Sequence, residues 1–282
     1  MSEETPAKNA GAGAFDPWAA IAGRAQREPE GPALFVLGRG YGWQSLSERA
    51  ARLAGGLQAA GLGQGCRIAL AMPNIVDLPV LVLAAGIAGA RLEAVDPRAS
   101  SPRLAEQLQE LQADAVATAN IGQLFDRVRV AADAEGGLPV LVARMTDGLP
   151  FPRNILLPLL RGAGLATVPV EARFIRLSKL AECAPLAPSA SEVRLSALAG
   201  AIAPDLPEAG AVLFARMTIC AEDLAAMLAV LGRGLTLVLA PRFDEKGLAA
   251  LAGRHNPALA VADENSVANL PEGLPYMLRR GL

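Results

Sequence analysis

"GCRIALAMPN", residues 65–74, runs directly into "IVDLPVLVLAAGIAGARLEAVDP", residues 75–97. A glycine leads into an apolar strand over 67–72, which breaks at Pro73-Asn74. A helix of small apolar residues follows over 75–89, then a second strand over 91–95 that stops at Asp96-Pro97. Strand, helix, strand in this order predicts a parallel pair, because a parallel crossover needs a connecting helix. The run Val80–Ala90, between Asp77 and Arg91, holds 11 residues. A membrane-spanning helix needs about 20, so the run is read as a helix buried in a protein core.

The same alternation extends in both directions. Toward the N-terminus, 33–37 and 41–44 are predicted to pair as a hairpin around Gly38-Arg39-Gly40. Ser45 then opens a helix, with Glu48 placed to complete a capping box. Its apolar positions Leu46, Ala50, Leu53, Ala54 and Leu57 recur at helical spacing, and Gly61 stops it. Toward the C-terminus, Ser101-Pro102 is read as a cap followed by proline at the first helical position, and the helix runs to Gln112. A strand at 115–118, a helix at 121–132 and a strand at 139–143 follow. Prolines then cluster at 150, 152, 158 and 169 and again at 185, 188, 204 and 207. Regular alternation returns with a strand at 211–215, a helix at 221–232, a strand at 235–240, a helix at 244–254 and a strand at 258–262. The expected organisation is a disordered tail (1–14), a first α/β subdomain (15–143), a proline-rich excursion or junction (144–210) and a second α/β segment (211–282). The expected fold class is α/β, with mostly parallel sheet layers flanked by helices.

Composition narrows the classes of function. Of 282 residues, 52% are hydrophobic and 19% charged, which excludes a disordered chain. The net charge is −2 and no basic block stands out, so nucleic acid has no electrostatic footprint to bind. Cys66, Cys183 and Cys220 are far apart and form no CxxC, which fits a reducing compartment. Residues 1–14 are small and polar and do not read as a signal peptide, so a cytoplasmic location is expected.

Few residues stand out as chemical groups. The glycines of "GLGQG" (61–65) follow a helix and precede a strand, the reverse of a dinucleotide fingerprint, and are read as a helix stop and tight turn. His255 is the only histidine, so no histidine cluster holds a metal; an exposed helix-end position is expected for it, with a general base as the alternative. Asp244-Glu245 and Asp263-Glu264 are read as helix starts, where negative charge is favoured. Arg279-Arg280 are expected to be solvated. "LPFPRNILLPLLRG" (149–162) is apolar apart from Arg153, Asn154 and Arg161, and is read as internal packing or as an amphipathic segment for a peripheral membrane or acyl contact.

The stretch from Tyr41 to Thr118 resembles the amino-terminal part of the AMP-forming acyl-CoA synthetases, of the adenylate-forming superfamily. The resemblance rests on Tyr41–Gly61, Gly65–Asn74, Gly86–Ala90 and Asp96–Leu111 in this order and spacing. It continues more faintly through 148–180, similar to a Pro-Phe-Pro segment of the long-chain fatty acyl-CoA ligases, and through 232–261, similar to a Pro-x-Phe-Asp segment. It implies the scaffold of a large N-terminal domain and, for the family, activation of a carboxylate with ATP and transfer to a thiol. ATP, Mg²⁺ and CoA would be cofactors only if that activity persists.

The family's phosphate loop is rich in Ser, Thr and Gly and carries a lysine. The equivalent stretch here, "AVLFARMTICAEDLAAML" (211–228), contains neither glycine nor lysine. Thr218 is its one candidate nucleotide-binding remnant, and Thr218 and Cys220 are otherwise read as opening a helix. The family's Tyr-Gly-x-Thr-Glu and Thr-Gly-Asp motifs are absent from the sequence. No catalytic residue and no metal ligand is assigned. Three readings stay open: a truncated or degenerate acyl-CoA synthetase, incompetent alone, for which a protein partner would supply the missing lobe; a non-catalytic module that binds an acyl chain, a nucleotide or a protein; and an α/β enzyme of another kind.

Overall fold

A computed structural model describes residues 15–149, 164–187, 193–216, 220–240 and 244–278. The chain opens with helix α1 (Pro17–Arg27), the hairpin β1 (Pro32–Val36) and β2 (Arg39–Gly42), and helix α2 (Trp43–Ala59). The alternating run follows: β3 (Arg67–Ala71), α3 (Asp77–Ala88), β4 (Arg91–Ala94), α4 (Ser101–Leu111), β5 (Ala115–Ala119), α5 (Gly122–Ala134) and β6 (Val140–Ala143). Next come β7 (Phe174–Arg176), the short α6 (Leu177–Leu180) and α7 (Val193–Ile202). The last part holds β8 (Ala211–Ala215), α8 (Ala221–Gly232), β9 (Thr236–Leu239), α9 (Glu245–His255), β10 (Leu259–Ala262), the short α10 (Glu264–Val267) and β11 (Tyr276–Leu278).

The strands form two sheets, ordered β11-β10-β8-β9-β1-β2 and β4-β3-β5-β6-β7. Every pairing is parallel except β1 with β2. The N-terminal hairpin therefore lies in the sheet otherwise built from residues 211–278. Successive residues of each strand point to opposite faces, and the cores follow that period. Ile68 and Leu70 of β3 and Val212 and Phe214 of β8 share one large core, with helices α3 and α8 between the sheets and the inner face of α2 packed on α3. Ala69, Val116, Val140 and Val142 face the other way, onto α4 and α5. Leu213, Val238 and Ala260 face Leu248 of α9. The layers run α, β, α, β, α.

A helix with a sheet on each side has no solvent face, and its sequence must be apolar all round. Helix α3 is buried at every residue from Leu78 to Ala88, which accounts for the uninterrupted apolar run in the sequence. Gly86 admits α1: a Cβ built there would lie 1.9 Å from Cζ2 of Trp18. The Trp18 indole Nε1 donates to the Leu83 carbonyl at 3.0 Å, so the ring is held against the helix at both its face and its polar edge. Gly55 and Gly56 of α2 serve the same end, since added Cβ atoms would meet the Ala184 and Leu180 carbonyls.

Element boundaries show local corrections. The hairpin turns at Leu37-Gly38, with φ of 53° and 83°, so the strands sit one to two residues earlier than expected. Two positive φ values give the primed turn whose twist matches paired strands. Helix α2 starts at Trp43 with Gly42 as N-cap and no side-chain cap, so Ser45 and Glu48 form no capping box. Glu48 instead accepts from Gln44 Nε2 at 2.9 Å. The N-cap of α4 is Ser100, which places Pro102 second in the helix rather than first. Asp244 and Asp263 do cap helices, as expected, and Gly61 and Gly65 take positive φ at the helix stop and turn. Residues 1–14, most of 149–162 and Arg279-Arg280 lie outside the described residues.

Gly86→Ala is expected to cost about 1–3 kcal/mol through overpacking against Trp18. Gly253, exposed in α9 with nothing within 4 Å of an added Cβ, supplies the contrast. Gly253→Ala is expected to gain about 0.4–1 kcal/mol. Urea unfolding of the two variants beside the parent checks both signs.

Candidate functional site

In an open α/β sheet, ligands sit at the carboxyl ends of strands where the order of connections reverses. The first sheet has such a place between β8 and β10. The chain leaves β8 toward β9 on one side and leaves β10 toward β11 on the other. The residues that emerge there are Arg216 after β8 and Asp263 after β10. This is also the stretch that the resemblance aligns with a phosphate loop.

The structure fills the place with the chain's own side chains. Arg216 Nε lies 2.9 Å from Asp223 Oδ1, and both side chains have no solvent exposure. The contact is an ion pair bent outside hydrogen-bond geometry. Asp223 Oδ2 accepts from the Cys220 backbone N–H at 2.9 Å and from its Sγ–H at 3.0 Å, which closes a capping box at the start of α8. Burial pushes the Asp223 acid above the usual carboxylate range, and Arg216 holds it down in part. Burial, aided by the Asp223 charge, pushes the Cys220 thiol up to about 12, so it is protonated at neutral pH and is no nucleophile.

Neighbouring loops are tied in the same way. Asn74, of the Pro-Asn break after β3, reaches from the second sheet to the first. Its Nδ2 donates to the carbonyls of Arg216 at 3.0 Å and Ala240 at 3.2 Å. Ser266 accepts from the Asp263 backbone N–H at 3.0 Å and donates from Oγ to the Ala215 carbonyl. Asp263 Oδ1 caps α10 by accepting from the N–H groups of Asn265 and Ser266.

The sequence-predicted residues divide plainly. Cys220 is at this site, as a helix cap. Thr218, the candidate nucleotide contact, lies outside the described residues. His255 is the last residue of α9, and its ring stands 4.4 Å from that of Phe35. It is half-buried there rather than exposed, and burial, then the Arg254 charge, holds its pKa below the usual histidine value. Arg216, Asp223 and Asn74 were not read from the sequence as a group. Among the described residues no group of His, Cys, Asp and Glu is placed to hold a metal ion. Nor is any helix among them long and apolar enough to cross a membrane.

An ATP phosphate chain needs donors and a cation facing it. Arg216, the cation at the end of β8, faces Asp223 instead, and the described residues here do not fit that group.

The fold is that of the N-terminal domain of adenylate-forming enzymes. The benzoate CoA ligase from Burkholderia xenovorans superposes with a TM-score of 0.69 at 19% identity, over 93% of this chain and 53% of that one. The family model for AMP-binding enzymes matches residues 21–159, just under half of the chain. A 4-coumarate–CoA ligase-like protein of Oryza sativa subsp. japonica is 28% identical over 137 residues, 48% of this chain and 23% of the relative. A long-chain-fatty-acid–CoA ligase of Bacillus subtilis is 28% identical over 135 residues, 48% of this chain and 24% of the relative. The matched stretch thus spans about a quarter of these curated relatives.

Arg216→Met leaves Asp223 buried without this counter-charge, and a loss of about 3–5 kcal/mol is expected. Without Arg216 the Asp223 acid rises further above its unfolded value. A raised carboxyl contributes stability at low pH that is lost as pH rises through the folded value. The variant is therefore expected to fall further below the parent at about pH 8 than at about pH 5. Arg216→Met with Asp223→Leu is expected to be more stable than Arg216→Met alone. Thermal melts across pH read all three.

Proposed function

We propose that this chain is an acyl-CoA ligase-like protein that does not form acyl-adenylates by itself, whose scaffold serves to bind an acyl or nucleotide ligand. The observation that carries the reading is the buried Arg216–Asp223 pair, in a stretch with neither glycine nor lysine. Adenylation develops charge on the α-phosphate and expels pyrophosphate, so it needs preorganised donors and cations. Losing one oxyanion donor costs about 2.7–4 kcal/mol. Here the glycine-rich loop and its lysine are both missing from the sequence of residues 211–228. A cytoplasmic setting belongs to this reading, supported by three free cysteines. So does a protein partner that supplies a further lobe. The reading also covers peripheral membrane contact through residues 149–162.

ATP–pyrophosphate exchange with the purified chain, over short, medium and long fatty acids and aromatic acids, tests the reading. Exchange is expected to stay at the no-enzyme level. Exchange well above that level, lost in Thr218→Ala, overturns it and puts a working nucleotide site at residues 211–223. A thermal-shift series with ATP, AMP, CoA and fatty acids tests the binding role, since a ligand that binds only the folded chain raises its melting point.

A further inference from the structure

A second polar cluster lies away from this site, where β2, α2 and the first turn of α3 meet. Tyr41 of β2 is 5% exposed, and among the described residues its hydroxyl makes no well-aligned hydrogen bond, Arg39 being the one side chain close enough to interact with it. A buried phenol ordinarily finds a well-aligned partner. Two guanidinium groups flank the ring: Arg39, two residues earlier on the same strand face, with Cζ 5.0 Å from the ring centre, and Arg49 of α2, at 5.2 Å. Among the described residues neither arginine forms an ion pair. A guanidinium stacked on a ring uses its face and keeps the N–H donors of its edge available. The cluster therefore presents two sets of charged donors beside one hydroxyl, with no carboxylate paired to either guanidinium among the described residues.

We propose that Arg39, Arg49 and Tyr41 form a binding site for a small oxyanion, the phosphate or carboxylate group of a ligand. Arg39 is exposed and Arg49 half-buried, so the anion enters from the surface and meets the hydroxyl at the floor. The chemistry is that of charge-assisted hydrogen bonds from planar donors to a multidentate acceptor.

Asp77, the first residue of α3, sets the pH range of the site. Its Oδ2 is shut off from solvent and has no hydrogen-bond partner. Burial, then the charge of Asp147, pushes this acid up to about 6, against the pull of Arg49. Asp147 itself is paired with Arg144 at 3.9 Å. Above that value a carboxylate stands beside Arg49 and Tyr41 and competes with the ligand. Below it Asp77 is neutral and that competition is gone. Binding is thus tighter on the acid side.

The test is thermal shift at constant ionic strength with inorganic sulfate, whose charge does not change across the range, and in parallel with acetate. The parent chain is expected to show a saturable rise with sulfate at about pH 5, with a midpoint roughly fivefold higher at about pH 7.5. Arg39→Gln, at an exposed position that leaves the core untouched, is expected to weaken the midpoint roughly tenfold. Tyr41→Phe keeps the ring and is expected to weaken it too. Asp77→Asn is expected to abolish the pH dependence and bind sulfate near pH 7.5 as the parent does near pH 5. Saturation with acetate alone assigns the site to carboxylates. A response that matches sodium chloride, or one unchanged in Arg39→Gln, overturns the proposal.

Discussion

The structure depends on a helical layer closed on both sides by sheets. Such a layer has no place for a charged face, and α3 and α8 accordingly carry almost none. The acid of Asp223 is admitted to α8 only together with Arg216. A layer this dry must also be thin at its crossings. Gly86 supplies that thinness under Trp18, as Gly55 and Gly56 do under the segment that precedes α7. The composition, heavy in alanine and leucine and poor in aromatics, is what such a layer asks for: bulk enough to bury, small enough to pack two sheets on one set of helices.

This constraint also explains why Asn74 matters. Sheets joined through apolar helices can slide unless something directional fixes them, because apolar contact is not directional. One amide that donates to the carbonyls of Arg216 and Ala240 couples the end of β3 to the ends of β8 and β9. In a dry setting such bonds are costly to leave unmade. The Pro-Asn break that opens the alternating run is therefore the joint between the two sheets, as well as the end of a strand.

Much of the fold was legible because its signals are local. Fully buried parallel strands read as apolar runs, and the helices between them carry stops such as Gly61 and starts such as Asp244. The strands β3, β5, β6, β8 and β10 and the helices α3, α5 and α8 fall within a residue or two of their expected bounds. Short elements escaped. β7 has three residues and α6 four, too few for any period, and both lie in the proline-rich stretch where no element was expected. α1 escaped although Asp16-Pro17 is a cap and first-turn proline, with Asp16 accepting from Ala19 N–H. That β1 and β2 join the sheet of residues 211–278 has no local signature at all, since it rests on pairing across some two hundred residues. The site divides in the same way. The absence of glycine and lysine was plain in the letters, whereas the pairing of Arg216 with Asp223 is a matter of spatial direction that spacing alone does not give.

The buried pair at the end of β8 decides what the crevice does to water. A phosphate loop keeps donors turned outward, toward a charged ligand, and its backbone groups find partners only when the ligand arrives. Here the cation turns inward. Arg216 and Asp223 are both without solvent exposure, Cys220 closes the cap, and Ser266 satisfies the Ala215 carbonyl. Turning Arg216 toward an anion would mean pulling it away from Asp223, and breaking a buried pair costs about 3–5 kcal/mol. Binding energy of that order would be spent before any discrimination of the transition state. A chain built this way gains a well-fixed α8 at the place where its relatives' fold offers a crevice. Chemistry at that crevice would then have to come from groups outside it.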